Sequence, residues 1–283
     1  MIKSRFIKAK REGKKWAMLT AYDFPTAEVL EKAGADLILV GDSLGMVLLG
    51  YSSTADVTMD EMIHHAKAVR RGAKNSFIIG DLPLKGVEKG PQQALISSKR
   101  FIREAGCDAV KLEWGPKALE TTDLLVRNKI PVMGHIGLTP QTAAKIGGFK
   151  VQGQDAESAL KILEAALLLE KHGVFSIILE CVPAPIAAVI TKTLKVPTIG
   201  IGAGPACDGQ VLVFHDLVGI FTKFTPRFVK HYARLEPLMK NAVEKYVRDV
   251  KAARFPQRKH SFLMKKEELL NFRNRSLKKK VRG

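Results

Sequence analysis

Seven polar residues, far apart in the chain, are of types that do chemistry together: Asp42 with Ser43, Asp81, Lys111 with Glu113, His135 and Glu180. Each stands at or just past the end of a short apolar run, as does Asp23. Taken singly, any of them also reads as a helix cap or an ion-pair partner, a common post for strand-end carboxylates. As a set they ask for more. Carboxylates gathered at one place repel one another unless positive charge neutralises them, and Lys111 is the obvious side-chain cation among them. A divalent metal with oxygen ligands is the economical answer. Two carboxylates, with water and substrate oxygens completing the shell, suit Mg²⁺.

Such a gathering needs a scaffold that brings strand ends together. Short β-rich runs occur at 16–22, 36–42, 77–82, 109–114, 131–136, 176–182, 197–203 and 211–218, eight in all. Between most of them the pattern turns helical. Residues 25–33 stop at Gly34, and Thr58 with Glu61 forms a capping box opening a helix to Arg70 and Gly72. Pro91 and Pro116 sit in first turns of helices reaching Gly106 and Asn128. The segment 155–172 carries Leu160, Leu163, Leu167 and Leu168 as a stripe, and 185–194 follows the sixth run. Continuous apolar strands alternating with amphipathic helices imply a parallel sheet covered by helices. Eight units in 283 residues fit a closed (β/α)8 TIM-type barrel of the α/β class. An open doubly wound sheet is the weaker alternative, because no dinucleotide fingerprint follows the first run. Function in a barrel lies at the C-terminal strand ends, where the polar residues above fall. Additional C-terminal helices are expected over roughly 226–252, with Phe228, Tyr232, Leu235 and Leu238 on one face. The domain reading is 1–263 as one barrel domain with that helical segment, and 264–283 as a basic, flexible tail.

Composition narrows the function classes. The net charge of +18 suggests nucleic acid until it is mapped. Residues 1–15 hold seven basic and one acidic residue, and 251–283 hold twelve and two, so 16–250 carry only +2. Blocks of like charge at termini read as solvated tails. Without interleaved aromatics they favour no RNA-binding role, and weak polyanion binding is the most they suggest. No apolar run approaches the roughly 20 residues of a membrane span, and the basic start lacks the apolar core of a secretory signal. Cys107, Cys181 and Cys207 are odd in number and far apart, which argues against a disulfide framework and for a reducing, cytoplasmic setting.

The stretches TAYD at 20–23, VGDSLG at 40–45, GDLP at 80–83, VKLE at 110–113, GHIGLTPQ at 134–141, GGFKVQGQ at 147–154, LECVP at 179–183 and IGIGAGPACDGQVLVFHD at 199–216 resemble the ketopantoate hydroxymethyltransferase family. The resemblance spans about residues 1–263. It implies a (β/α)8 barrel, assembled as a homodecamer, that binds one Mg²⁺ per subunit. The implied reaction takes a one-carbon unit from 5,10-methylenetetrahydrofolate to C3 of 3-methyl-2-oxobutanoate, in pantothenate and coenzyme A biosynthesis. By motif position, Asp42 and Asp81 match metal-binding aspartates that also meet substrate, and Glu113 lies beside the metal. Ser43 and Lys111 match substrate contacts, His135 lies in the pocket, and Glu180 matches the general base. That chemistry is coherent. A chelated 2-oxo acid is acidified at C3, a carboxylate removes the proton, and the enolate attacks the folate methylene.

Two features depart from the family pattern: Trp114 stands where members usually carry Gly, and 84–90 reads LKGVEKG. Competing readings are an isocitrate lyase-like Mg²⁺-dependent 2-oxo acid lyase, for which no KKCGH-type loop is present, and an inactive barrel binding acidic partners. Gly200, Gly202 and Gly204 favour tight packing over phosphate binding. His64 and His65 favour a surface or subunit-contact role over metal ligation.

Overall fold

The eight apolar runs fold as β1 (Trp16–Thr20), β2 (Leu37–Val40), β3 (Phe77–Asp81), β4 (Ala109–Glu113), β5 (Val132–Gly137), β6 (Ser176–Glu180), β7 (Thr198–Ile201) and β8 (Gly209–Leu212). A computed structural model describes residues 2–141 and 150–280; residues 147–149 of the GGFKVQGQ segment lie outside them. All eight strands pair in parallel, each with its neighbour in sequence, and β8 closes onto β1. The TIM-type barrel expected from the alternating pattern is therefore the fold.

Helices wrap the barrel: α1 (Ile2–Arg11), α2 (Phe24–Lys32), α3 (Leu44–Val47), α4 (Met59–Gly72), α5 (Leu84–Val87), α6 (Pro91–Arg103), α7 (Ala118–Arg127), α8 (Ala156–Lys171), α9 (Ala184–Thr193) and α10 (Phe214–Leu217). The capping box of α4 is formed: Glu61 N–H donates to Thr58 Oγ1 at 3.3 Å, and Thr58 N–H donates to Glu61 Oε2 at 2.7 Å. Pro91 opens α6 at a position where no intrahelical N–H is needed. The helices bury their apolar faces against the outer side of the strands, in a core that includes Ile38, Ile78, Val110, Val132, Ile177 and Leu169. A second core fills the barrel itself: Met18, Leu37, Leu39, Ile79, Ala109, Met133, Ile178 and Ile199.

The N-terminal segment corrects the reading of 1–15 as a solvated tail. It forms α1, whose Phe6 is buried against Trp16, Phe77 and Phe175 at ring separations of 5.8, 5.6 and 4.8 Å. Its basic groups are placed. Lys10 Nζ donates to the carbonyls of Thr191 and Val196 and lies 3.0 Å from Asp208 Oδ2. Lys3 Nζ donates to the Glu170 carbonyl. A charge count along the sequence is blind to carbonyls that the fold presents.

Two boundaries also differ. The last strand ends at Leu212, and Phe214–Leu217 turn into α10, where 211–218 had been expected as one strand. The turn is held by the Phe214 N–H, which donates to Thr20 Oγ1 at 3.0 Å. Residues 226–233, expected to begin a helix, are irregular instead. They are tied to α10 by His231 Nδ1 on the Asp216 carbonyl and by Tyr232 N–H donating to Leu217 O.

The chain divides into two compact units, residues 1–233 and 234–283. The second contains α11 (Leu235–Lys251) and α12 (Lys266–Lys280), the latter where polarity suggested a frayed extension. The apolar residues Leu238, Val243 and Tyr246 of α11 are exposed. Among the described residues no helix is long and apolar enough to cross a membrane.

Candidate active site

Side chains alternate along a strand, so a residue two beyond an interior core position points into the same barrel interior, one layer nearer the mouth. This places the polar set. Ile79 is followed by Asp81, Ala109 by Lys111 and then Glu113, Met133 by His135, and Ile178 by Glu180. Register adds the pairing. Asp81 stands opposite Lys111, and Glu113 opposite His135.

Asp42 is out of this phase, because Leu39 is the inward residue of β2 and Gly41 would come next. The turn into α3 brings it in. Its backbone N–H donates to Asp81 Oδ2 at 3.2 Å, which fixes the two aspartates side by side. Asp42, Ser43, Asp81, Lys111, Glu113, His135 and Glu180 line one cavity of about 90 Å³ at the C-terminal mouth. Asp23 is not among them. It caps α2, accepting from the Thr26 N–H at 2.8 Å.

The charges interlock. Lys111 Nζ sits 2.7 and 2.8 Å from the two oxygens of Asp81 and 3.7 Å from Glu113 Oε1. Burial opposes its charge, but Asp81, Glu113 and Asp42 outweigh that and hold the ammonium above the ordinary lysine range. His135 lies between two carboxylates, with Nδ1 3.3 Å from Glu113 Oε1 and Nε2 3.1 Å from Glu180 Oε2. These are ion-pair distances without well-aligned hydrogen bonds, so both ring nitrogens and Glu113 Oε1 stay buried and under-satisfied. Burial and Lys111 pull the imidazole down, yet the two carboxylates prevail and raise it to about 9. Glu113 moves the other way. Burial raises it, but His135 and Lys111 more than offset this and hold it below the usual range. The raised value favours the imidazolium form of His135 at neutral pH.

Asp42 is the group left short of positive charge. Burial first, and the neighbouring Asp81 second, push its carboxyl well above the carboxylate range, with Lys111 opposing. Among the described residues no three acidic, histidine or cysteine side chains form a ready-made metal cage. The arrangement fits a hard cation held by two carboxylates, with its other positions left to substrate and water.

Glu180 is set by its backbone. Gly137 opposite it has φ 96°, and a Cβ there would fall 2.2 Å from the Glu180 carbonyl oxygen. Cys181, just beyond, adopts φ 49°. A left-handed conformation at a residue with a Cβ costs roughly 1–2 kcal/mol, and here it turns the chain sharply at the cavity wall. Burial pushes the Cys181 thiol up to about 12, which disfavours the thiolate that a nucleophile needs.

Three contributors were not read from the sequence. Gln141 donates from Nε2 to Asp42 Oδ2 at 2.8 Å and to the Leu82 carbonyl at 2.9 Å, while its backbone N–H reaches Glu113 Oε2 at 3.4 Å. Its only signal was its place at the end of GHIGLTPQ. Tyr22, fully buried, shares a 2.8 Å hydrogen bond with Ser43 Oγ. Thr54 lines the cavity with a buried, unpartnered hydroxyl. The glycine run after β7 is packed as expected: a Cβ at Gly202 would strike the Phe228 ring and one at Gly204 would strike Ala184. His65 Nδ1 bonds the Tyr22 carbonyl at 2.7 Å.

Comparison with known proteins agrees with this geometry. The family model described as ketopantoate hydroxymethyltransferase matches residues 1–258. The 3-methyl-2-oxobutanoate hydroxymethyltransferase of Desulfotalea psychrophila is 52% identical over 256 residues, covering 90% of this chain and 92% of that one. The enzyme of the same name from Carboxydothermus hydrogenoformans is 53% identical, covering 92% and 94%. That from Bacillus cereus is 48% identical, covering 95% and 96%. Among solved structures, phosphonopyruvate hydrolase superposes with a TM-score of 0.60 at 12% identity, covering 99% of this chain and 98% of that one. A 2,3-dimethylmalate lyase of the PEP mutase/isocitrate lyase superfamily superposes with a TM-score of 0.56 at 13% identity, covering 99% and 97%. At such identities these two share the fold alone.

Proposed function

The chain belongs to the ketopantoate hydroxymethyltransferase family, and from that premise we propose that it transfers the one-carbon unit of 5,10-methylenetetrahydrofolate to C3 of 3-methyl-2-oxobutanoate, with water supplying the hydroxyl and tetrahydrofolate leaving, giving 2-dehydropantoate. The observation that carries this reading is the gathering of Asp42, Asp81, Lys111, His135 and Glu180 around one cavity small enough to favour a compact oxo acid. The lyase alternative draws on the distant fold neighbours alone. The three relatives named above, at 48–53% identity, bear the hydroxymethyltransferase name.

Asp42 and Asp81 are the residues that would hold Mg²⁺, with Glu113 beside them. When bound, the ion supplies a Lewis acid that draws electron density from a carbonyl oxygen. The protein's own residues do the rest. Lys111 holds Asp81 in place and gives a fixed positive charge facing the substrate's carboxylate. Ser43, steadied by Tyr22, offers its hydroxyl to the same group. Glu180 takes the C3 proton. His135, charged and 3.1 Å from Glu180 Oε2, orients that carboxylate and screens it from Glu113. Apolar walls from Leu39, Ile178, Ile201 and Val211 exclude water from the enolate that forms.

The test is formation of 2-dehydropantoate by the purified protein from the oxo acid and methylenetetrahydrofolate, with and without Mg²⁺. Product that needs all three supports the reading. Cleavage of a 2-oxo acid precursor without folate would replace it with the lyase.

A further inference from the structure

The 90 Å³ cavity lies below the roughly 300–1,000 Å³ typical of ligand pockets, so it has room for the oxo acid and none for a pteridine. The one-carbon donor must therefore occupy adjoining space and present its methylene at the shared boundary. A second cavity of about 340 Å³ adjoins the first and shares Glu113 with it, while Gln141, which lines the second, follows Pro140, which lines the first. It lies between α5 and the turn after β4, with Leu84, Val87 and Leu112 on its walls. Trp114 lines it as well. The indole stands one residue past Glu113, and its N–H backbone bond to the His135 carbonyl at 2.8 Å extends the β4–β5 ladder by a step. Its backbone is thus tied into the β4–β5 ladder, and its half-buried side chain packs against the core.

We propose that this second cavity is the folate subsite and that Trp114 is its stacking wall, a specificity-determining residue for the one-carbon donor. The inference rests on the hydroxymethyltransferase reading above. Folate offers what the cavity accepts: flat aromatic rings for the indole face and the aliphatic walls, and a glutamyl tail whose carboxylates meet exposed Lys117 at the rim. From there the donor's reactive carbon faces the boundary at Glu113, one ion-pair contact from His135 and two from Glu180.

The experiment compares the parent with Trp114→Ala and Trp114→Phe in steady-state assays varying methylenetetrahydrofolate and the oxo acid separately. Exchange of the substrate's C3 proton with deuterated water, which needs no folate, reports whether the first cavity is intact in each variant. The expected result for Trp114→Ala is a rise of about ten-fold in the KM for folate, equivalent to about 1.4 kcal/mol, with the KM for the oxo acid little changed. Trp114→Phe should recover most of the loss. Fluorescence gives a second readout. Trp16, the other tryptophan, is buried at the barrel bottom against Phe6, so tetrahydrofolate should quench the parent and not Trp114→Phe. An unchanged folate KM in Trp114→Ala, with exchange intact, overturns the subsite. A parent that exchanges the proton but forms no product with folate overturns the transferase reading instead.

Discussion

Replacing Lys111 by Met removes the side-chain cation that Asp81 and Asp42 share among the described residues, and its consequences follow from the geometry. Lys111 is 4% exposed, and its ammonium contacts both oxygens of Asp81 at 2.7 and 2.8 Å. Breaking a buried ion pair from one side costs about 3–5 kcal/mol, because an uncompensated charge is left behind. For a domain of this size each kcal/mol moves the melting temperature by about 2–4 °C, so the variant should melt about 6–20 °C below the parent at neutral pH. The deficit must depend on pH in one direction. Asp42, already held above the carboxylate range, rises further without Lys111, so the folded chain binds its proton more tightly than the unfolded chain does. Stability then falls as pH rises through that window, and the gap to the parent is wider at pH 8 than at pH 5. Adding Asp81→Asn should recover part of the loss, since the orphaned charge is gone. Scanning calorimetry of the metal-free single and double variants at the two pH values decides the matter. A loss below about 1 kcal/mol that is the same at both pH values would refute the charge accounting of the site.

Two further outcomes are expected. Asp42→Asn and Asp81→Asn should each weaken Mg²⁺ binding in calorimetric titration, because each removes a charged oxygen from a cation that favours carboxylates; unchanged affinity in both would move the metal elsewhere. The metal-free parent should also lose stability at alkaline pH through His135. Its folded pKa of about 9 lies above the reference value of 6.5, so the contribution is full below 6.5 and disappears as pH rises through 9. It amounts to at most about 3 kcal/mol, and a His135→Gln variant should show a flatter profile between those values in urea melts.

Much of this was legible in the chain because two periodicities coincide. The apolar runs mark the strands, and within VKLE the two-residue step from Lys111 to Glu113 already aims both side chains into the barrel. Helix caps such as Thr58 with Glu61 are local and read directly. What stayed hidden depends on contacts distant in sequence. Asp42 reaches the cavity through a turn whose course no spacing reveals. Gln141 meets an aspartate 99 residues away. Lys10 finds carbonyls of α9 and of the loop leading into β7, so that a basic block counted as solvated becomes the clasp of α1. Phe228 and Tyr232, spaced for a helix face, are diverted because backbone bonds to α10 offer residues 226–233 another partner. The basic, polar 266–280 segment is helical because its strong helix formers, Lys, Glu, Leu and Arg, carry local propensity that polarity alone does not disclose.

The central claim is that the cavity enolises a 2-oxo acid with Glu180 as its base, and exchange of the C3 proton of 3-methyl-2-oxobutanoate reports that step without folate chemistry. Followed by NMR in deuterated water with Mg²⁺ present, the parent should exchange the proton and Glu180→Gln should do so about 10²–10⁴-fold more slowly, the usual share of a general base, while still binding the oxo acid. Exchange at the parental rate in the Gln variant would contradict the assignment.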